Sequence, residues 1–293
     1  MKMNYSKIFF LCIFSCVSNL PSVYLKSESV NFQSFLGDYK ALKDTSDPIN
    51  INTSKVKKVT TPSPFTIHGV FFDIVKVIND GESVRLISPA SHSYVTGGVL
   101  GDEDEYQFYD KHFLWASDTN EVAGTTVDGQ GCPLNDRALF FNKKYKTYKD
   151  ALGKPDGVVV VVFQINACPD GVTNYLYIPF AYALKKVQNA VSYTFSLLGF
   201  AIGWFALIIP YDTTYYAYPG SYVDETGKQY NNIPVIVINH LPDMCMSKKQ
   251  YANTFGSFKD SAGHPLTKVS PQFPVKGRPI LQLQGIKNID VLF

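Results

Sequence analysis

The segment YDKHFLWAS, Tyr109 to Ser117, holds the residues with the clearest chemical potential in the chain. His112 and Trp115 stand three apart in a stretch that reads as a β-strand, where residues at i and i+2 share a face. Two imidazoles at that spacing would offer a metal ion a pair of neutral nitrogen ligands, but the residue two beyond His112 is Leu114, which has no lone pair to give. The remaining histidines, His68, His92, His240 and His264, are scattered, and neither an HExxH nor a paired CxxC occurs. The acidic run Asp102 to Glu105 lacks the spacing and glycine of a calcium loop and reads as a solvated turn before a strand. Lys143, Lys144, Lys146 and Lys149, interleaved with Tyr145 and Tyr148, form one basic cluster, and Lys55, Lys57 and Lys58 another; each could meet a polyanion or simply solvate a strand edge.

These residues need a scaffold, and the composition describes it. The chain has 293 residues, 45% hydrophobic, 14% aromatic and 18% charged, which excludes disorder and suits one large domain. Short apolar runs broken by turns predict a mostly β protein with few short helices. GVVVVVFQIN, Gly157 to Asn166, is β-branched and continuous, so it reads as a central strand buried on both faces. IPVIVINHL, Ile233 to Leu241, is a second such strand, and YQFYDKHFLWA a third that admits polar residues. SKKQYANTF, Ser247 to Phe255, is the best helical segment. No internal repeat or low-complexity linker is visible.

Lys2 and Lys7 precede the apolar run Ile8 to Val17, so residues 1–25 read as a secretory signal peptide, residues 26–37 as an extension and 38–293 as one domain. Loss of the signal leaves a near-neutral chain, which does not suggest nucleic acid. It also leaves three cysteines, Cys132, Cys168 and Cys245, which permit at most one disulfide. Asn52-Thr53-Ser54 is an acceptor for N-glycosylation. The uncharged stretch from Asn189 to Tyr211 is interrupted by glycines and closed by Pro210; burial inside the domain is a better reading than a membrane span.

The order of short motifs is similar to that of the α-class carbonic anhydrases. Asp47-Pro48-Ile49-Asn50-Ile51 resembles the family's Ser-Pro-Ile-x-Ile, Asn79 to Ser83 its Asn-Asn-Gly-His turn, HFLW its His-x-His-Trp, and Thr125 to Gly129 its His-Thr-Val-Asp-Gly. FFNKKY, Phe140 to Tyr145, then Pro155-Asp156-Gly157, Leu207 to Ser221 and Gly277 to Ile289 continue the likeness in order. The resemblance implies that family's fold around a large, twisted, mixed central sheet. It also implies a site where three neutral imidazoles hold zinc and an ionised water attacks carbon dioxide.

Placed by these motifs, the ligand positions are His112, Leu114 and Arg137, and arginine offers a metal no lone pair. The glutamate that orients the hydroxide falls at Gly124, a neighbouring histidine at Thr125, the hydroxide-accepting threonine at Val223 and the proton-shuttle histidine at Glu82. The expectation is a vestigial cleft of Glu82, Asp110, His112, Leu114, Gly124, Arg137 and Val223, with no cofactor and no catalysis. Asp110, His112 and Leu114 should share a face with Asn135 and Arg137, and Asp110 or Glu82 should neutralise Arg137. A fold of this family without its reaction suggests a secreted or cell-surface module that binds a protein or a polyanionic glycan, with Lys143, Lys144 and Lys146 as candidate contacts. The aromatic content and the apolar segment Thr194 to Ile209 suggest the alternative of a subunit in a larger assembly, and a third class is an enzyme using other chemistry.

Overall fold

The computed structural model describes residues 42, 44–70, 74–79, 84–169, 173, 178–187, 193–196, 209–239, 244–259 and 262–291. In chain order the strands are β1 (Asn50–Ile51), β2 (Lys57–Lys58), β3 (Phe65–Val70), β4 (Ile74–Asn79), β5 (Val84–Ile87), β6 (Tyr94–Thr96), β7 (Tyr106–Trp115) and β8 (Thr126–Val127). They continue with β9 (Leu134–Asn142), β10 (Val158–Ala167), β11 (Tyr193–Ser196), β12 (Thr214–Val223), β13 (Gln229–Ile238), β14 (Cys245–Met246), β15 (Leu281–Gln284) and β16 (Ile286–Val291). Helices are short: α1 (Tyr148–Ala151), α2 (Ile178–Lys186) and α3 (Lys248–Asn253). The anticipated helix near Ser247 is thus present, opened by a capping box in which Ser247 and Gln250 satisfy each other's backbone N–H groups. Most of the apolar segment between Asn189 and Tyr211 lies outside the described residues; among those described, no helix is long and apolar enough to cross a membrane.

One large mixed sheet runs in the order β11-β4-β5-β7-β9-β10-β13-β12-β15-β2, with β6, β3, β16 and β14 attached beside this path. β10 lies at its middle, antiparallel to β9 and parallel to β13. The valine run explains this place, because a strand covered on both sides needs apolar residues at odd and even positions alike. Val159, Val161, Phe163 and Ile165 enter one core with Phe113, Trp115 and Phe140. Val158, Val160 and Val162 enter the other with Leu139, Tyr218 and Tyr222.

All nine residues of β9 are buried, although four of them are polar or charged. Alternation sends Asp136 to the first face and Asn135 and Arg137 to the second. On the first face Lys111 Nζ stands 2.8 Å from Asp136 Oδ2, with both side chains almost wholly covered. Lys111 also lies 5.9 Å from the centre of the Phe163 ring. Desolvation pushes the Asp136 carboxyl up to about 6 against the opposing pull of Lys111, and pulls the Lys111 ammonium down. The sequence reading did not find this pair. Its signal was available: Lys111 alternates with Phe113 and Trp115 and must therefore share their apolar face.

A disulfide joins Cys168, just beyond β10, to Cys245 in β14, within the limit of one bridge that three cysteines allow. Cys132 is buried and free, with its thiol pushed up to about 12 by desolvation.

Breaking the Lys111–Asp136 pair from one side strands a buried charge. Asp136→Leu is therefore expected to cost about 3–5 kcal/mol of unfolding free energy, while Lys111→Met with Asp136→Leu recovers most of it. Urea unfolding of the three proteins checks this, and a double variant as weak as the single one counts against the pair.

Candidate functional site

Three adjacent strands carry the candidate residues. His112 of β7 is opposite Arg85 of β5 on one side and Arg137 of β9 on the other. Leu114 is opposite Asn135, so Asp110, His112 and Leu114 share a face with Asn135 and Arg137, as their spacing requires. An irregularity in β7 between Phe108 and Asp110 puts Asp110 opposite Leu139.

Charge pairing on this face differs from the expected one. Arg137 does not hold Asp110. Its Nη2 lies 3.3 Å from Asp47 Oδ2, and both side chains are at least nine-tenths covered. Asp110 pairs with Arg85 instead, and the Arg85 Nη2 also donates to Tyr222 Oη at 3.2 Å. Tyr222 Oη in turn donates to Asp110 Oδ2 at 3.3 Å. The reason is geometric: Asp110 has a guanidinium diagonally across on each side, and Arg137 is already engaged by a carboxylate from outside the sheet. The expected Asp110 bridge between β7 and β9 is therefore replaced by two links, one joining β5 to β7 and one joining β9 to the segment before β1. Glu82, the other expected partner, lies outside the described residues.

Asp47 reaches this face because the chain around it is strapped down. Thr45 Oγ1 donates to Gly220 O at 2.7 Å and accepts from Asn232 N at 2.9 Å. The Asp47 carboxylate takes hydrogen bonds from Tyr218 Oη at 3.0 Å and Ser221 N at 3.2 Å. Gly220 leaves no room for a side chain beside that carboxylate. Asp47 was missed as a site residue, yet the sequence carried the signal: it stands where the resembling motif has serine.

A family model of the eukaryotic-type carbonic anhydrase matches residues 38–279. The chain belongs to the carbonic anhydrase family. Carbonic anhydrase 7 of Homo sapiens is 26% identical over 244 residues, covering 81% of this chain and 88% of its own. Carbonic anhydrase 6 of Bos taurus is 27% identical over 149 residues, 49% of this chain and 44% of its own. Carbonic anhydrase 3 of Rattus norvegicus is 26% identical over 120 residues, 40% of this chain and 45% of its own.

A zinc of the carbonic anhydrase kind needs three imidazoles converging from one face. Here that face presents His112 together with Leu114 and Arg137, and among the described residues no group of three or more His, Cys, Asp or Glu is placed to hold a metal. The donor set does not fit the ion. Leu114 is 8% exposed and packs with Ala116 and Ala123 in a small apolar cluster of its own. Gly124 closes it at φ +101°; a Cβ there would stand 2.8 Å from Asn135 Oδ1 and 3.1 Å from Leu114 Cδ1. A glutamate at 124 would strain the backbone and crowd the Asn135 amide and the Leu114 methyl. Thr125 N donates to Asn135 Oδ1 at 3.1 Å, fixing the amide against this turn. Val223, half exposed at the end of β12, faces solvent, and Tyr222 rather than Val223 reaches Asp110 and His112.

The other candidates lie apart from this face. Lys143 Nζ holds Glu105 at 2.7 Å and lies 5.2 Å from the Tyr94 ring, and Lys144 holds Asp156. Lys146 is exposed. Asn52 is exposed and its side chain accepts from Ser54 N at 3.0 Å.

His112 is part-buried, and its imidazole is held well below the usual range, first by desolvation and then by Arg137, Arg85 and Lys268. The folded chain therefore refuses a proton that the unfolded chain accepts near pH 6.5. Its stabilising contribution is complete above that pH and is lost as the pH falls below it, by at most about 1.4 kcal/mol per pH unit. Unfolding free energies of the wild type and His112→Gln, measured from pH 7.5 to 5, should diverge in slope below pH 6.5; parallel curves would contradict the assignment.

Proposed function

We propose that this chain is a catalytically inactive, zinc-free carbonic anhydrase-related protein that acts as a secreted or cell-surface binding module. The observation that carries the reading is the packing of the His112 face: Leu114 fills an apolar cluster, and Arg137 is ion-paired with Asp47. Both positions are committed to structure, and neither side chain offers a lone pair to a metal. Secretion is supported by the charged and apolar pattern of residues 1–25, by a disulfide of the kind that persists in oxidising compartments, and by the exposed turn at Asn52.

For the ligand, a polyanionic glycan is favoured by a surface groove of about 850 Å³ lined by Lys57, Lys58, Tyr211, Gln282 and Gln284. Tyr211 is 65% exposed there, offering a stacking face in a groove whose lining has two ammonium groups, two side-chain amides and one carboxylate, that of Asp212. Lys143 and Lys144 can contribute only by giving up Glu105 and Asp156; exposed pairs of this kind contribute about 0–1 kcal/mol, so exchange is cheap.

Two measurements test the reading. Elemental analysis of the purified mature protein is expected to find well below one zinc per chain, with no carbon dioxide hydration above buffer; stoichiometric zinc with activity overturns it. On immobilised heparin at low salt the protein is expected to be retained, and Lys57→Glu with Lys58→Glu should weaken retention more than Lys143→Glu with Lys144→Glu. Absence of retention at any ionic strength removes the glycan and leaves a protein ligand.

A further inference from the structure

Among the described residues, the face around His112 holds more positive charge than its own carboxylates neutralise. Arg85 is matched by Asp110. Arg137 and Arg278 share one carboxylate: Asp47 lies 3.3 Å from Arg137 Nη2 and 3.9 Å from Arg278 Nη1, and both guanidinium side chains are at least 95% covered. Arg278 is otherwise held by neutral carbonyls, those of Thr45, Pro274 and Val275. Among the described residues, the two buried guanidiniums of Arg137 and Arg278 and the part-buried one of Arg85 thus meet two carboxylates, and one positive charge is left in a setting where an uncompensated ion is costly.

Among the described residues the same face carries one buried acceptor, Asp110 Oδ1, with no donor, and two buried hydrogen-bond donors with no acceptor. Arg137 Nη1 has none, because Asp47 engages only the other terminal nitrogen. Asn135 Nδ2 has none either, and its direction is fixed, since Asn135 Oδ1 is the atom that accepts from Thr125 N. Asn135 is fully covered and Arg137 is 4% exposed. They stand at i and i+2 of β9, on one face, with His112 directly across from Arg137.

We propose that this face binds one small monovalent anion, of halide to carboxylate size, between Arg137 Nη1 and Asn135 Nδ2. The anion supplies the missing acceptor to both donors and the missing negative charge to the arginine pair, which a water molecule cannot do. His112 forms a wall of the site and is not required to be charged. The inference rests on the absence of zinc proposed above, and the two fail separately.

The test uses the mature full-length chain at constant ionic strength, with chloride as the probe. Chloride-35 NMR line broadening is expected to saturate with millimolar affinity and to be displaced competitively by nitrate and by acetate; stronger displacement by acetate points to a carboxylate as the natural occupant, and stronger displacement by nitrate or bromide to an inorganic ion. Arg137→Met removes the guanidinium and leaves Asp47 matched to Arg278, so no buried partner is stranded, and it should weaken chloride binding about tenfold or more. Asn135→Leu is expected to weaken it less. Broadening in the wild type that rises linearly without saturation overturns the proposal, as does saturable binding that both variants retain. Zinc is measured on the same samples. Saturable binding that survives a chelator and depends on Arg137 supports the anion site even if zinc is found, whereas binding that leaves with the metal overturns it.

Discussion

Buried charge in the central strand β9 has to be compensated on both of its faces, and that requirement organises the sheet around it. β9 has no exposed position, yet it carries Asp136 and Arg137 side by side. Because neighbours on a strand point to opposite faces, these two cannot neutralise each other and each must find a partner within its own core. Lys111 meets Asp136 from β7, and Asp47 meets Arg137 from the segment before β1. The sheet is thereby tied on one face to a strand and on the other to the chain that precedes it.

The His112 face follows from that constraint. In the carbonic anhydrase pattern, a metal draws β7 and β9 together through imidazoles of both strands. Here the same strands are joined by their ladder, and the side chains on this face form two separate structures. One is apolar, where Leu114, Ala116 and Ala123 pack under the turn at Gly124. The other is ionic, where Arg85, Asp110 and Tyr222 close one group and Asp47, Arg137 and Tyr218 another. These positions depend on one another: a Cβ at Gly124 would crowd Asn135 and Leu114, and the buried Arg137 is answered by the Asp47 carboxylate. His112 stands between two guanidiniums, where desolvation and their charge disfavour its protonated form.

Much of this was legible before any coordinates. The valine run of β10, the alternation in β7 and the ordered motifs of the family were enough to place the sheet and to put His112, Leu114, Asn135 and Arg137 on one face. Those features depend on period and order, which are local in the chain. Two errors share a cause. Asp110 or Glu82, or both, were expected to neutralise Arg137, where Asp47 does so, and the Lys111–Asp136 pair was overlooked, because each is a choice among several residues within reach, and reach is a property of three dimensions. Val223 was placed in the cleft by motif alone, whereas the observed β12 presents Tyr222 to Asp110.

The order of motifs in the chain was enough to indicate the family, and the period of two along each strand was enough to put His112, Leu114, Asn135 and Arg137 on one face, because both are local properties of the sequence. The tertiary structure alone decided which carboxylate answers which cation. Asp47 is 90 residues from Arg137 in the chain, and only the fold of the preceding segment over β12 and β13 brings its carboxylate to a guanidinium that, once buried, cannot do without one.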